Sequence, residues 1–121
     1  RIDPNDAWVY SRRGLAYHDK GDYDRAIADY TQALRLNPND AWVYNQRGVS
    51  YHDKGDYDRA IADYTQALRI DPNYAVAIGN RGFAYSQKGQ RALAIQDLER
   101  SLQLNPNYQW AKDRLREIRG W

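Results

Sequence analysis

The feature that most constrains this chain is an internal repeat. The stretch GDYDRAIADYTQALR fills residues 21–35 and recurs without change at residues 55–69, and a weaker copy, GQRALAIQDLERSLQ, fills residues 89–103. The copies begin 34 residues apart. A fixed period of this length is typical of a protein that stacks copies of one small unit. One unit cannot bury both of its faces, so we expect three in succession with the last one covered.

Each unit is predicted to be a pair of antiparallel helices. In the first unit, helix A runs over residues 7–20 and helix B over residues 23–36. Gly21 supplies the left-handed residue that ends helix A, and the Asp22 side chain can cap the free N–H groups of helix B. Pro38 stops helix B, because the residue before a proline is pushed out of the α region.

The helix starts are not all equally well specified. Asn5 or Asp6 can cap the first helix A, and the sequence leaves both open. The third helix B has Gln90 where the other units have Asp22 and Asp56. Because glutamine is not among the favoured N-cap residues, we expect a weaker helix start in the third unit.

The period divides the chain into five segments. Residues 1–6 are the tail of a preceding unit, residues 7–40, 41–74 and 75–108 are three full units, and residues 109–121 form a C-terminal capping helix. The predicted fold class is all-α, with about seven helices. The start within a repeat and the lack of methionine favour a fragment or an engineered repeat protein, and the sequence leaves both open.

Composition argues against several classes of function. The absence of cysteine excludes disulfides and thiolate chemistry, and no apolar run approaches the length of a transmembrane helix. A net charge of +2 argues against non-specific nucleic-acid binding. We therefore predict neither a nucleic-acid nor a membrane partner. The compartment stays open, with a soluble cytoplasmic protein as our expectation.

Two groups of polar residues contain side chains that some enzymes use. Ser11, His18 and Asp19 have the residue types of a hydrolytic triad, but no nucleophile elbow or oxyanion feature accompanies them. The segment HDKGD, at residues 18–22 and 52–56, offers imidazole and carboxylate but no histidine pair at i, i+4. We predict that the protein is not an enzyme and that it holds no metal and no cofactor.

The repeated positions resemble the signature of the tetratricopeptide repeat family, whose period is 34 residues. The match covers about residues 7–108 and is specific for fold, but it says little about the ligand. The resemblance implies a right-handed α-solenoid of antiparallel helix pairs that acts as a protein-interaction module. The matching residues are Tyr10, Gly14, Tyr17, Ala26, Tyr30, Ala33 and Pro38, then Tyr44, Gly48, Tyr51, Ala60, Tyr64, Ala67 and Pro72, then Ile78, Gly82, Tyr85, Ala94, Leu98, Ser101 and Pro106.

One departure from the family pattern recurs in every unit. Arginine stands where the family has leucine before the glycine, and an aspartate follows sixteen residues later. An unpaired guanidinium between two helices would be costly. We therefore expect an ion pair between helix A and helix B in each unit, the alternative being a solvent-exposed arginine. The pairs are Arg13 with Asp29, Arg47 with Asp63 and Arg81 with Asp97.

By the resemblance, helix A of each unit lines a concave groove in which extended peptides bind. The spacing of the implied residues places them on one helical face. Three of the six differences between the first two units fall on these positions, which fits either adjustable binding positions or drift. The predicted groove residues are Trp8, Ser11, Arg12, Leu15, His18, Asp19, Trp42, Asn45, Gln46, Val49, His52, Asp53, Val76, Asn80, Phe83, Gln87 and Trp110.

The best-known ligands of this family are the acidic C-terminal tails of heat-shock chaperones, which Lys, Asn and Arg side chains hold. Here Ser11 and Leu15 replace the Lys and Asn of the first repeat. Gln46 stands for the second-repeat Asn, and Val76 and Asn80 replace the third-repeat Lys and Arg. We therefore predict a protein or peptide partner that is not of the chaperone carboxylate type.

A structural role is the alternative to peptide binding. No capping helix covers the N-terminal face, so that face could stack on the C-terminal helix of another copy. Such a head-to-tail contact tends to form open filaments. The alternative function is thus an end-to-end self-associating scaffold.

Overall fold

The computed structural model describes residues 3–120. Within them the chain forms seven α-helices and no strand, which confirms the predicted all-α fold. The predicted tail includes Arg1 and Ile2, and the predicted capping helix includes Trp121. These three residues lie outside the described residues. The helices are α1 Ala7–Asp19, α2 Tyr23–Leu36, α3 Ala41–Lys54, α4 Tyr57–Ile70, α5 Ala75–Gln87, α6 Arg91–Leu104 and α7 Gln109–Arg119.

The residues that begin and end the first helix pair act largely as the sequence predicts. Of the two candidate caps, Asp6 is the one whose side chain accepts a hydrogen bond from the first turn of α1. Helix α1 ends one residue earlier than predicted, with Lys20 as its C-cap. Gly21 follows at φ +80°. The N–H of Asp22 then donates to the carbonyl of Tyr17 at 2.9 Å, which satisfies a carbonyl of the last turn.

The third helix pair lacks one of these bonds, as expected. The side chains of Asp22 and Asp56 accept from the first turns of α2 and α4, at 3.2 Å in both cases. Gln90 makes no such side-chain bond at the start of α6.

Glycine in α1 and α3 allows a tyrosine ring to lie against the helix backbone. A Cβ atom built on Gly48 would lie 2.6 Å from Cε1 of Tyr64, and one built on Gly14 would lie 2.9 Å from Cε1 of Tyr30. Tyr30 and Tyr64 are themselves 0% and 1% exposed. The glycines therefore permit the close helix approach on which burial of these rings depends.

The predicted arginine–aspartate pair is present in every unit. Each guanidinium donates two hydrogen bonds to the carboxylate, at 2.6–2.9 Å, and joins Arg13 to Asp29, Arg47 to Asp63 and Arg81 to Asp97. The three carboxylates belong to buried residues. Burial raises the pKa of Asp63, and the hydrogen bond and charge of Arg47 oppose part of that rise. The predicted link between helix A and helix B is confirmed.

Exposure distinguishes the first pair from the others. The Arg13 side chain is 45% exposed, whereas those of Arg47 and Arg81 are 19% and 23% exposed. The inner two arginines also donate to a threonine of the preceding unit, Arg47 to Thr31 and Arg81 to Thr65. These arginines therefore join neighbouring units as well as the two helices of one unit, a role that the sequence did not suggest.

A second ion pair also links successive units. Lys54 at the end of α3 pairs with Asp24 at the start of α2, and Lys88 pairs with Asp58 one repeat later. No helix within residues 3–120 is long and apolar enough to cross a membrane.

Candidate peptide-binding groove

The odd-numbered helices form one continuous layer. Each of α1, α3 and α5 contacts the next odd-numbered helix, whereas within residues 3–120 no even-numbered helix contacts another. The odd helices therefore lie closer together than the even ones, as expected for the inner layer of a curved solenoid. All seventeen predicted groove residues belong to this layer.

Large apolar side chains are exposed near the N-termini of the odd helices. Trp8 is 68% exposed, Trp42 is 38% exposed and Val76 is 39% exposed. Trp8 and Trp42 border a hollow of about 510 Å³, which Ser11 and Arg12 also line. The guanidinium carbon of Arg12 lies 5.6 Å from the centroid of the Trp8 ring.

Two predicted groove residues are buried between helices. Ser11 is 5% exposed, and its hydroxyl donates to the carbonyl of Trp8 at 2.8 Å. Asn45 is 2% exposed; it accepts a hydrogen bond from Asn80 Nδ2 and donates to Gln46 Oε1. The Ser11 bond lies within α1, whereas the Asn80 bond joins α5 to α3. The role of Ser11 and Asn45 in ligand contact stays a prediction.

The two histidines have different surroundings. His18 Nε2 lies 2.8 Å from Asp53 Oδ2, which links the first two units, and His18 Nδ1 lies 3.8 Å from Asp19. His52 instead stacks on Phe83, with ring centroids 5.0 Å apart. Burial lowers the pKa of His52, and the charge of Asp53 opposes part of that fall.

A pocket opens where α3, α5 and α7 meet, and we call it the Asp53 pocket. Its volume is about 260 Å³. Tyr108 and Trp110 stack with their centroids 5.7 Å apart, and the Trp110 ring meets Phe83 edge to face at 5.7 Å. The lining residues are Val49, His52, Asp53, Tyr64, Asn80, Phe83, Tyr108 and Trp110.

Two of these lining residues lie outside the groove that the sequence predicts. Tyr64 belongs to the family signature, and Tyr108 belongs to neither the signature nor the predicted groove. Tyr108 lies one period after Tyr74, so the repeat could have drawn attention to it. The remaining predicted positions, Leu15 and Gln87, are half-buried and exposed, respectively, and neither lines the Asp53 pocket.

The possible catalytic and metal-binding groups do not assemble. Within the described part of the chain, no hydrogen bond joins Ser11 to His18, because Ser11 bonds to backbone and His18 to Asp53. Among those same residues, no group of three metal-binding side chains comes together.

Fold and groove together define an α-solenoid of helix hairpins with a concave inner layer. A family profile described as "Tetratricopeptide repeat" matches residues 41–74 and 75–108, and one described as "TPR repeat" matches residues 14–55. The chain belongs to the tetratricopeptide repeat family. A search of curated proteins found no match.

Several solved structures share this fold closely. The first TPR domain of human RPAP3 is 30% identical, with a TM-score of 0.93 over 98% of this chain and 93% of that one. The first TPR of Spaghetti (RPAP3), bound to the HSP90 peptide SRMEEVD, is 29% identical, with a TM-score of 0.92 over 98% and 94%. The second TPR domain of human RPAP3, in complex with the HSP70 peptide SGPTIEEVD, is 30% identical, with a TM-score of 0.87 over 94% and 98%.

Proposed function

We propose that this chain is a non-enzymatic protein-interaction module that holds a peptide segment of a partner protein in its concave groove. Three repeats, at residues 7–40, 41–74 and 75–108, form the groove, and the segment from residue 109 covers the last of them. The observation that carries the proposal is the exposure of Trp8, Trp42 and Val76 on the inner helix layer. Exposed aromatic and apolar side chains beside a pocket are typical anchors for a partner.

The similar domains with peptides support groove binding, but this groove favours another ligand. Both of those peptides end in Glu-Glu-Val-Asp. The charged predicted groove residues are Arg12, Asp19 and Asp53, a net charge of −1 with neutral histidines, although the whole chain carries +2. Like charges across an interface reduce affinity. We therefore propose a partner segment other than an acidic C-terminal tail.

A peptide array tests the proposed function directly. The wild-type domain and a Trp42→Ala variant are applied to arrays of short synthetic peptides, and Leu93→Ala serves as control. Leu93 is 42% exposed, close to the 38% of Trp42, but it lies on α6 outside the inner layer. We expect Trp42→Ala to weaken binding about tenfold, the scale of a moderate hot spot, and Leu93→Ala to leave it unchanged. Equal binding by all three proteins would place the binding surface elsewhere.

End-to-end stacking is the second candidate function. Ala16 is exposed on α1, whereas its counterparts Ser50 and Ala84 are 0% exposed because a preceding unit covers them. The N-terminal face of the described residues thus exposes a surface that is covered in the second and third units.

The charges at the two ends of the solenoid make stacking the less favoured of the two candidate functions. Cations rim the apolar hollow at the other end, where Lys112, Arg116 and Arg119 surround Leu102 and Leu115. The N-terminal face presents the 45% exposed Arg13, whose charge Asp29 partly offsets, as Glu99 partly offsets that of Arg119. We therefore expect light scattering to give one monomer mass across concentration, and a mass that grows with concentration would favour stacking.

A further inference from the structure

Two side chains of the Asp53 pocket, Asp53 and Asn80, have oxygen atoms that remain free to accept hydrogen bonds. Asn80 donates through Nδ2 to Asn45, and Asn45 donates through Nδ2 to Gln46, so this chain of bonds runs away from the pocket. The Asn80 carbonyl oxygen is left as an acceptor. Asp53 uses Oδ2 for His18, and among the described residues no hydrogen bond reaches its Oδ1. His52, Tyr64, Tyr108 and Trp110 also line the pocket and carry donors, but within the described residues none of them bonds to Asp53 or Asn80.

Aromatic rings and one carboxylate make the pocket suited to a positive charge. The Asp53 side chain is 39% exposed and so remains accessible. Ring faces attract cations, and a carboxylate binds guanidinium or ammonium groups through charged hydrogen bonds. Lysine and arginine have several donors and no acceptor, which complements the free oxygens of Asp53 and Asn80.

A cation already lies beside these rings. The guanidinium carbon of Arg114 is 5.7 Å from the centroids of both Phe83 and Trp110. Glu117 offsets its charge, at 3.3 Å from the guanidinium. Arg114 does not line the pocket. The rings thus accept a guanidinium, and the carboxylate within the pocket is that of Asp53, which bonds to His18 through Oδ2 and leaves Oδ1 free.

We propose that the Asp53 pocket binds an arginine or lysine side chain of the partner peptide, whose charged group pairs with Asp53 and whose stem packs against Val49 and Trp110. This inference rests on the proposed function, because it assigns one side chain of the peptide in the groove. It makes the partner segment basic rather than acidic. The residues of the partner segment that neighbour this side chain then extend along α1 and α3 towards Trp42.

Peptide pools with one fixed central residue test this assignment. Four fluorescent pools carry Arg, Lys, Glu or norleucine at the centre and random residues elsewhere, and anisotropy reports their binding to wild type and variants. Asp53→Asn removes the charge and keeps the shape. Asp71→Asn is the matched control, since it removes the same charge on a loop and restores the residue that the first repeat has at Asn37.

We expect the Arg and Lys pools to bind the wild type more tightly than the Glu and norleucine pools. Asp53→Asn should weaken the Arg pool about tenfold, about 1.4 kcal/mol, and added salt should reduce the difference between pools because it screens the charges. Asp71→Asn should stay within about twofold.

Contrary outcomes separate this inference from the proposed function. If the Glu pool binds best, or if Asp53→Asn retains the preference for Arg, the inference is wrong. Groove binding then still stands, provided that Trp42→Ala weakens whichever pool binds. If no pool binds the wild type, both the inference and the proposed function are wrong.

Discussion

At the scale of single residues, the same ion pair lies in two different environments. Arg47 is 19% exposed and Arg13 is 45% exposed, although both bond to a buried aspartate of helix B. Removal of a guanidinium leaves the carboxylate unpaired, and the cost depends on whether water can replace the guanidinium.

Arginine-to-methionine substitutions should therefore destabilise the protein unequally. We expect Arg47→Met to lower the free energy of unfolding by about 3 kcal/mol, the lower end of the range for a broken buried pair. Arg13→Met should cost at most about 1 kcal/mol, because solvent reaches the first pair. Urea unfolding of the two variants measures both values. Equal losses would contradict a role for burial.

His52 should make stability depend on pH. Its neighbours are Asp53, the Tyr57 ring at 5.0 Å and Phe83, and burial lowers its pKa in the folded state. The unfolded chain then takes up a proton before the folded one does. Stability should accordingly fall as pH drops through about 6.5, the ordinary histidine pKa.

The variant His52→Gln should lose part of this dependence. Urea unfolding at several pH values between about 5 and 8 gives the slope for wild type and for His52→Gln. A flatter slope in His52→Gln than in wild type is the expected result. An unchanged slope would mean that His52 binds protons equally in both states.

At the scale of elements, the helix boundaries followed from local sequence because local groups fix them. Asp6, Asp22 and Gly21 satisfy backbone groups within the same turn, so a short stretch of sequence is enough to predict their effect. Burial of Ser11 and Asn45 depends instead on how closely neighbouring helices A approach, which no single helix specifies. The sequence therefore predicts that one whole face of each helix A lines the groove, whereas in the structure part of that face is buried.

The Asp53 pocket also depends on packing between helices, here between residues that lie far apart in the sequence. Its walls combine α3 and α5 with Tyr108, just before α7, and Trp110 within it. The repeat period indicated Trp110, because it continues the series of Trp8 and Trp42. Tyr108 and Tyr64 line the pocket only because neighbouring units pack together. The repeat period alone does not predict that packing.

The missing cap on α6 gives a test at this scale. Gln90→Asp restores the side chain that Asp22 and Asp56 use to accept from the first turn. We expect a gain of about 1 kcal/mol in unfolding free energy, the usual worth of an N-cap. The reverse change, Asp56→Gln, should cost a similar amount. Thermal or urea unfolding checks both, and a neutral Gln90→Asp would mean that the start of α6 is set by packing.

At the scale of the whole molecule, links between units make the groove a continuous surface. Arg47 and Thr31, and Lys54 and Asp24, join the first two units, while His18 and Asp53 connect their inner helices. A peptide that contacts one unit therefore meets the next at a defined spacing. A basic segment could lie across both units with one charged side chain in the Asp53 pocket.

The measurement that tests groove binding most directly is a map of backbone amide shifts. A peptide selected from the arrays is titrated into the isotopically labelled domain. We predict that the shift changes concentrate in α1, α3 and α5, with the largest near Val49, Asp53 and Phe83. Changes concentrated in α2, α4 and α6, with α3 and α5 unaffected, would contradict the account.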